Sequence, residues 1–306
     1  MKKVLILGAG GNLADQLNKE FSNFSDYQII NYDKNDLNLL EYDLIVPKIN
    51  KIKPDIIINT AAYNAVDRCE EFEDEFKLAS KINGDALRYI GKAAIVNNSI
   101  LIHYSSDYVF GGDICHENDC NNECLLKFKE KGGFLEDDER CPINKYGLTK
   151  MAGEVEIQRL VNKKLKYYVI RTSKLFGPKG ESVDSKENFF DLIWRIAKGK
   201  REIKVVSEEL SCFTYTPDLA RQTREILESK NDFGFYHVRN SDPAIWYDAA
   251  KELFRLKKIN IKIRPVPADK FPRPAKRPKY SVLANSKLPA LRSWKEALKE
   301  YSSNLK

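Results

Sequence analysis

The sequence predicts an α/β protein in which a doubly wound parallel sheet carries a smaller C-terminal α/β lobe. Three observations lead there. Through the first half of the chain, short runs that are apolar nearly throughout alternate with amphipathic stretches, the pattern of parallel strands buried on both faces and joined by crossover helices. The first run ends in a glycine cluster, GAGGNLA at positions 8–14, which opens an amphipathic stretch. After Arg171 the alternation loosens, and proline clusters from Pro265 to Pro278. With 306 residues the chain can hold one large domain and a further lobe.

The elements follow in order. Strands are expected at Val4–Leu7, Gln28–Tyr32, Asp55–Asn59, Ile100–Ser105 and Tyr167–Arg171, each an apolar, β-branched run. Helices are expected at Asn12–Phe24, through the long Phe72–Val96 region and at Lys145–Val161. Farther on, helical patterns fall at Phe189–Ala197, Pro217–Leu227, Tyr247–Leu256 and Trp294–Tyr301, with strands at Ile203–Val206 and Phe235–Val238. Residues 1–172 thus read as the sheet domain and residues 173–306 mainly as the lobe, whose chain returns to the sheet edge at least once. The segment Gly111–Cys141 exceeds a typical connection and is rich in charge, glycine and cysteine.

Composition narrows the class. Hydrophobic residues at 42% and charged residues at 31% suit a folded chain and not a disordered one. The net charge of +7 is scattered apart from Lys257/Lys258 and the run Lys270–Lys279, and no aromatics interleave with it. No nucleic-acid partner is therefore expected, whereas a small acidic ligand is compatible. The opening MKKVLIL is too short for a signal-peptide core before the glycines interrupt it, and no stretch approaches a membrane span. A cytoplasmic protein without a membrane partner is expected, its six cysteines held as thiols.

Chemistry concentrates in four motifs. In the glycine turn, Gly8 permits the bend, Gly11 lets the backbone approach a pyrophosphate, and the following helix offers free N–H groups. Ala14 supplies the small residue that lets helix and strand pack closely. This turn makes the sheet domain Rossmann-type. Asp33 follows the second strand, where an acidic side chain accepts hydrogen bonds from adenine-ribose hydroxyls and favours NADH. Lys34 could instead attract the 2′-phosphate of NADPH, and both also read as turn residues. SSDYVF (105–110) ends a strand. YGLTK (146–150) lies on a helix, where the i, i+4 spacing places Tyr146 and Lys150 on one face. A tyrosine titrates near ~10, and an adjacent ammonium is expected to lower that. Such a tyrosine can protonate a carbonyl oxygen that a serine, Ser106, holds by a hydrogen bond.

Taken with NTAAYNAVD (59–67), YGLTKMAGE (146–154), RTSKLFG (171–177), RPKYSVL (277–283) and SWKEALKEY (293–301), these motifs resemble the dTDP-4-dehydrorhamnose reductase family of extended short-chain dehydrogenase/reductases over nearly the whole chain. The resemblance implies an NAD(P)H-dependent oxidoreductase acting on the 4-keto group of a nucleotide-activated deoxysugar, in nucleotide-sugar and surface-polysaccharide biosynthesis. It implies catalysis by Ser106, Tyr146 and Lys150. Gly8, Gly11, Asn12, Leu13, Asp33, Lys34, Ala61, Ala62, Tyr63 and Lys150 would line the cofactor, and Asp107, Lys174, Asn188 and Arg277 would face the sugar nucleotide. Mg²⁺ and a homodimer stay open. A non-catalytic dinucleotide-binding subunit resembling methionine adenosyltransferase β, and an NDP-sugar epimerase, are the alternatives.

Departures from the family pattern bear on the substrate. Asp107-Tyr108 replaces the Asp-Glu of sugar-nucleotide 4,6-dehydratases, so dehydration is not expected. Lys174 stands where these reductases commonly carry tryptophan, and EELSCF (208–213) replaces a run that usually reads Asp-Gln-x-Gly-x-Pro. Asn38 replaces an aspartate near the adenine. The insertion carries Cys115, His116, Cys120 and Cys124, suitable zinc ligands at a spacing that matches no standard finger, so no metal site is assigned. His103 and His237 lie in strand patterns and read as packed structural residues.

Overall fold

A computed structural model of the chain describes residues 1–111, 130–182, 185–229, 231–303 and 305. The apolar runs pair as β1 (Lys2–Leu7), β2 (Tyr27–Tyr32), β3 (Ile56–Asn59), β4 (Ile100–Ser106) and β5 (Lys166–Thr172). After β6 (Leu175–Phe176), β7 (Glu202–Val206) and β8 (Thr214–Tyr215), the chain returns as β9 (Gly234–His237) along β5. The sheet is parallel throughout, in the order β2-β1-β3-β4-β5-β9. Strand order reverses between β1 and β3, so a crevice opens at their carboxyl ends. Leu7, Asn59 and His103 align across β1, β3 and β4. β4 runs three residues past that line, paired with β5 as far as Ser106↔Thr172.

Strand alternation sends side chains to two cores. Leu5, Leu7, Ile57, Leu101 and Val169 meet the helices Tyr42–Ile52, Ala86–Val96 and Lys145–Gln158 on one face. On the other, Val4, Ile6, Ile58 and Ile102 meet Asn12–Ser22 and Thr216–Glu228. Each of these fully buried aliphatics contributes ~1.5–3 kcal/mol. A third core, with Phe176, Phe190, Phe213, Trp294 and Tyr301, lies among the helices Phe189–Ala197, Trp246–Leu256 and Trp294–Ser303. Around it β6 pairs with β8, β7 with β11 (Lys262–Val266), and β10 (Asn240–Ser241) with β12 (Leu291–Ser293).

Several elements differ from expectation. The helix Tyr42–Ile52 was not anticipated, because Pro47 lies inside it and breaks the pattern that marks a helix. The long Phe72–Val96 region divides into Glu73–Ala79, a π-helical turn at Ser80–Asp85, and Ala86–Val96. The turn coincides with close packing, since a Cβ at Gly153 would stand 2.1 Å from the Asn83 carbonyl oxygen. Cys115, His116, Cys120 and Cys124 lie outside the described residues. Among those described, no helix is long and apolar enough to cross a membrane.

A buried ionic group ties sheet to helix. Arg171, at the end of β5, donates to both Glu154 carboxylate oxygens (2.9 and 2.8 Å) and to the Glu136 carbonyl (2.8 Å). Its guanidinium lies between Phe110 and Phe235, at 4.9 and 4.6 Å from the ring centres. Burial opposes ionisation of Glu154, yet Arg171, with Ser105 and Arg140, outweighs it and holds the carboxyl below its ordinary value. His237 is packed against the same guanidinium (3.3 Å), and burial together with that charge pushes its pKa down to about 3. His103 is likewise fully buried, 3.1 Å from Asn59 Nδ2. Both histidines are structural, as expected. Arg171→Met would leave a buried carboxylate short of its main partner, so urea unfolding is expected to show a loss of about 3–5 kcal/mol.

Candidate active site

The crevice is built from backbone first. Gly8 has φ +83°, and a Cβ there would lie 2.7 Å from the Ala61 nitrogen, so only glycine lets the turn rest on the loop after β3. Gly11 is extended and caps the 11-residue helix Asn12–Ser22, and a Cβ there would meet only the Gly8 oxygen, at 3.4 Å. Leu13 is buried in the core beneath. Opposite, Ala61 N–H donates to Asn59 Oδ1 (3.2 Å), and Tyr63 exchanges two backbone bonds with the Asn83 side chain (2.9 and 2.8 Å). Ala62 is exposed between them. Asp33, exposed at the tip of β2, accepts from the Asn35 and Asp36 backbone (2.7 and 3.2 Å), which holds its carboxyl below the ordinary range. Lys34 beside it is also exposed.

A helix N-terminus, a glycine turn without side chains and an acidic group on the same edge fit a dinucleotide. One further segment shares that edge. Gly180 N–H donates to Asn12 Oδ1 (2.9 Å), Asn12 Nδ2 to the Lys186 carbonyl (3.0 Å), and Ser182 N–H and Ser185 Oγ to the Gly10 carbonyl (3.0 and 2.9 Å). Lys186 Nζ reaches the Asn64 carbonyl (3.3 Å), so this strap crosses from the glycine turn to the loop after β3. Its sequence, small and polar, gave no sign of that.

The catalytic candidates converge where β4 overshoots. Ser106 Oγ accepts from Tyr108 N–H (3.2 Å) and opens the turn Asp107–Val109. The helix Lys145–Gln158 starts against that turn, for a Cβ at Gly147 would stand 2.2 Å from the Tyr108 carbonyl oxygen. Its cap is Asn144, which accepts from Gly147 N–H (2.8 Å). Tyr146 is thereby brought beside Ser106, its ring edge-on to Tyr108 at 5.8 Å. Lys150 is 2% exposed and donates to the Tyr104 carbonyl (2.7 Å).

Electrostatics here differ from expectation. Burial raises the Tyr146 pKa, and the nearby Asp107 charge adds to it. Lys150 does not offset this: its ammonium is committed to a backbone carbonyl, and burial pushes its own pKa down to about 8, against the pull of Glu154. Asn83 escaped sequence reasoning. Besides holding Tyr63, its Nδ2 donates to Thr149 Oγ1 (2.9 Å), whose hydroxyl donates to the Tyr146 carbonyl (2.8 Å). The loop after β3 and the helix of Tyr146 are therefore joined through one amide. An Asn-Gly pair inside a helical stretch was the only cue.

Residues expected to face a sugar nucleotide are turned to protein partners. Asp107 is 3% exposed, its carboxylate among serines. Asn188 caps the helix Phe189–Ala197 and donates to Gly177 O (3.1 Å) and Tyr301 Oη (2.8 Å). Arg277 grips Asp67 with two bonds (2.6 and 2.7 Å) and holds that carboxyl below its ordinary value. Lys174, at φ +36°, donates to the Glu209 carbonyl (2.9 Å) and lies 4.1 Å from the Trp246 ring centre. Burial pushes its pKa down to about 8. Glu209's carboxylate is taken by Trp246 Nε1 (2.8 Å) and Arg273, and Glu208 by Ala268 N–H (2.8 Å).

A family profile described as the RmlD substrate binding domain matches residues 1–306. The spore coat polysaccharide biosynthesis protein SpsK of Bacillus subtilis (strain 168) is 31% identical over 305 residues, covering 98% of this chain and 97% of its own. A dTDP-4-dehydrorhamnose reductase of Aggregatibacter actinomycetemcomitans is 30% identical over 316 residues, covering 98% of each chain. Among solved structures, the dTDP-4-dehydrorhamnose reductase of Bacillus anthracis str. Ames in complex with NADP superposes with a TM-score of 0.84, at 31% identity and 98% coverage of both chains.

The Lys150 charge has a testable consequence. Its ordinary value is lowered, so the ammonium is present below about pH 8 and lost above it. The Kd for NADPH, titrated by fluorescence between pH 6 and 10, is expected to rise through that point in the native protein. In Lys150→Met the affinity is expected to be weaker and flat across the range.

Proposed function

The chain belongs to the family of the RmlD substrate binding domain, and from that premise we propose that it is an NAD(P)H-dependent reductase of the 4-keto group of a nucleotide-activated deoxysugar. The observation that carries this reading is the meeting of Ser106, at the end of β4, with Tyr146 and Lys150 on one helix, beside a glycine turn that fits a dinucleotide. Residues 1–172 are assigned to dinucleotide binding and residues 173–306 mainly to the sugar nucleotide. The protein works in the cytoplasm, in nucleotide-sugar metabolism.

The dinucleotide, when bound, supplies the hydride that reaches the carbonyl carbon. Gly8, Gly11, Asn12, Leu13, Ala61, Ala62 and Tyr63 bind it, with Asp33 and Lys34 at the adenine ribose, which leaves NADH or NADPH open. Tyr146 donates the proton to the carbonyl oxygen, and its raised pKa keeps the phenol protonated at neutral pH, as an acid requires. Ser106 hydrogen-bonds that same oxygen. Lys150 places an ammonium beneath the site, buried where water does not weaken its field.

Substrate choice rests on the departures. Lys174 removes one aromatic cover, but Trp246 and Phe189, tilted against each other at 4.6 Å, supply another from a different element. The cations nearby are already engaged, Lys174 and Arg273 by Glu209 and Arg277 by Asp67. A neutral sugar differing from 4-keto-rhamnose in hydroxyl arrangement fits this best, since mismatched hydroxyls leave buried polar groups unpaired.

Two measurements test the proposal. Tyr146→Phe is expected to lower kcat by ~100- to 10,000-fold with NADPH affinity retained. Near-native turnover would assign the proton to another group, whereas dinucleotide binding without any turnover in the native protein would favour a regulatory subunit. In a panel of NDP-4-keto sugars, dTDP-4-dehydrorhamnose is expected to be a weak substrate. A kcat/KM on it of ~10⁴ M⁻¹s⁻¹ or more would make the departures neutral.

A further inference from the structure

Asp107 follows Ser106 directly, yet its carboxylate points away from the crevice. Oδ2 is ringed by three hydroxyls, Ser173 at 2.7 Å, Ser211 at 2.8 Å and Ser281 at 2.6 Å. Oδ1 accepts from Ser106 Oγ at 3.2 Å. Oδ2 is thereby filled, and Oδ1 is engaged by the catalytic serine. Among the described residues no cation hydrogen-bonds the group; Lys174 acts on it by charge, its ammonium donating to the Glu209 carbonyl. Burying such a group is costly, and burial holds its carboxyl above the ordinary value although the three hydroxyls and the Lys174 charge act against it.

The three serines come from separate parts of the chain. Ser173 follows β5, Ser211 lies between β7 and β8, and Ser281 lies between β11 and β12. Ser281 N–H donates to the Leu210 carbonyl (3.0 Å), and the Ser173 and Ser211 hydroxyls are 2.5 Å apart. The ring therefore closes only when both C-terminal segments are seated on the end of β4.

We infer that Asp107, caged by Ser173, Ser211 and Ser281, is a positioning residue that orients Ser106 and Tyr146 for proton donation, and not a sugar contact. The Ser106 side chain is held from two sides, its hydroxyl donating to Oδ1 and its oxygen accepting from the Tyr108 N–H, and when a carbonyl enters the same hydroxyl turns from Oδ1 to it. The carboxylate charge also opposes phenolate formation at Tyr146. The other ionisable groups facing Asp107 are Lys174, Cys212 and Tyr108. The inference rests on the reductase reading for its kinetics but not for its spectroscopy.

The test uses the full-length protein with NADPH and dTDP-4-dehydrorhamnose. Ser211→Gly and Ser281→Ala are expected to lower kcat about tenfold each, with the sugar-nucleotide KM within about twofold of native. Ser211→Thr is expected to restore kcat. In the Asp107→Asn background, Ser211→Gly is expected to add nothing, the mark of a shared pathway. A KM increase at constant kcat in Asp107→Asn, with the serine variants neutral, would make Asp107 a sugar contact and overturn the inference. In protein labelled with ¹³Cζ-tyrosine, the Tyr146 resonance (identified by its loss in Tyr146→Phe) is expected to titrate at lower pH in Asp107→Asn and in Ser211→Gly. Should Asp107→Asn fail to fold, Ser211→Gly alone decides. No native turnover with a shifted resonance would defeat only the reductase reading, and an unmoved resonance defeats the positioning role.

Discussion

Two glycines and one carboxylate fix the helix that carries Tyr146 and Lys150, and the rest of the site is placed relative to it. At Gly147 and Gly153 any side chain would collide with the carbonyls of Tyr108 and Asn83, at 2.2 and 2.1 Å. The helix therefore lies against the end of β4 on one side and the π-helical turn on the other. Glu154, one turn beyond Lys150, is locked to Arg171 in β5. Packing this close leaves no freedom to slide, and a phenol that must meet a carbonyl oxygen at hydrogen-bond distance benefits from that rigidity. The π turn lies at the same contact, and Asn83 within it holds both Tyr63 and Thr149.

Charge is arranged with similar economy. The arginines around the crevice each have a carboxylate partner: Arg171 with Glu154, Arg277 with Asp67, Arg273 with Glu209. Lys150 and Lys174 differ, both set on backbone carbonyls and both lowered to about 8 by burial. A carbonyl dipole orients an ammonium without neutralising it. Lys150 thus keeps a net positive field under the site, while Tyr146, near Asp107, stays protonated. The pair divides the work of electrostatics and proton donation, and the ammonium does not lower the phenol's pKa as the i, i+4 spacing suggested.

What was legible in the sequence was periodicity and residue type. The buried strands announce themselves because both faces must be apolar, and the glycine turn because only glycine tolerates the Gly8 conformation. Tyr42–Ile52 was hidden by Pro47, and β11 by Pro265 at an edge where a missing N–H costs little. Two-residue strands such as β6 and β8 are too short to show a period. Direction was the other gap. Resemblance locates Asp107, Asn188 and Arg277 along the chain, but whether a side chain turns to the crevice or to the protein depends on what packs behind it. Ser173, Ser211 and Ser281 are up to 108 positions apart (281 − 173) in the sequence, so no local pattern could have shown them meeting at one carboxylate.

The departures from the family pattern acquire a common physical sense once they are seen together. Lys174 follows Ser173, and Glu209 precedes Ser211 by two residues, so the same two segments supply both the Asp107 cage and the Lys174–Trp246 contact. The positive φ at Lys174 turns its ammonium toward the Glu209 carbonyl, and Glu209's own carboxylate then fastens Trp246 and Arg273. An aromatic at position 174 would have neither the donor for that carbonyl nor the charge that sits over the Trp246 ring. Substituting tryptophan at 174 alone would thus free a buried carbonyl, whereas changing 174 together with 208–213 exchanges one self-consistent set for another. The substitutions act as a unit because their partners are each other.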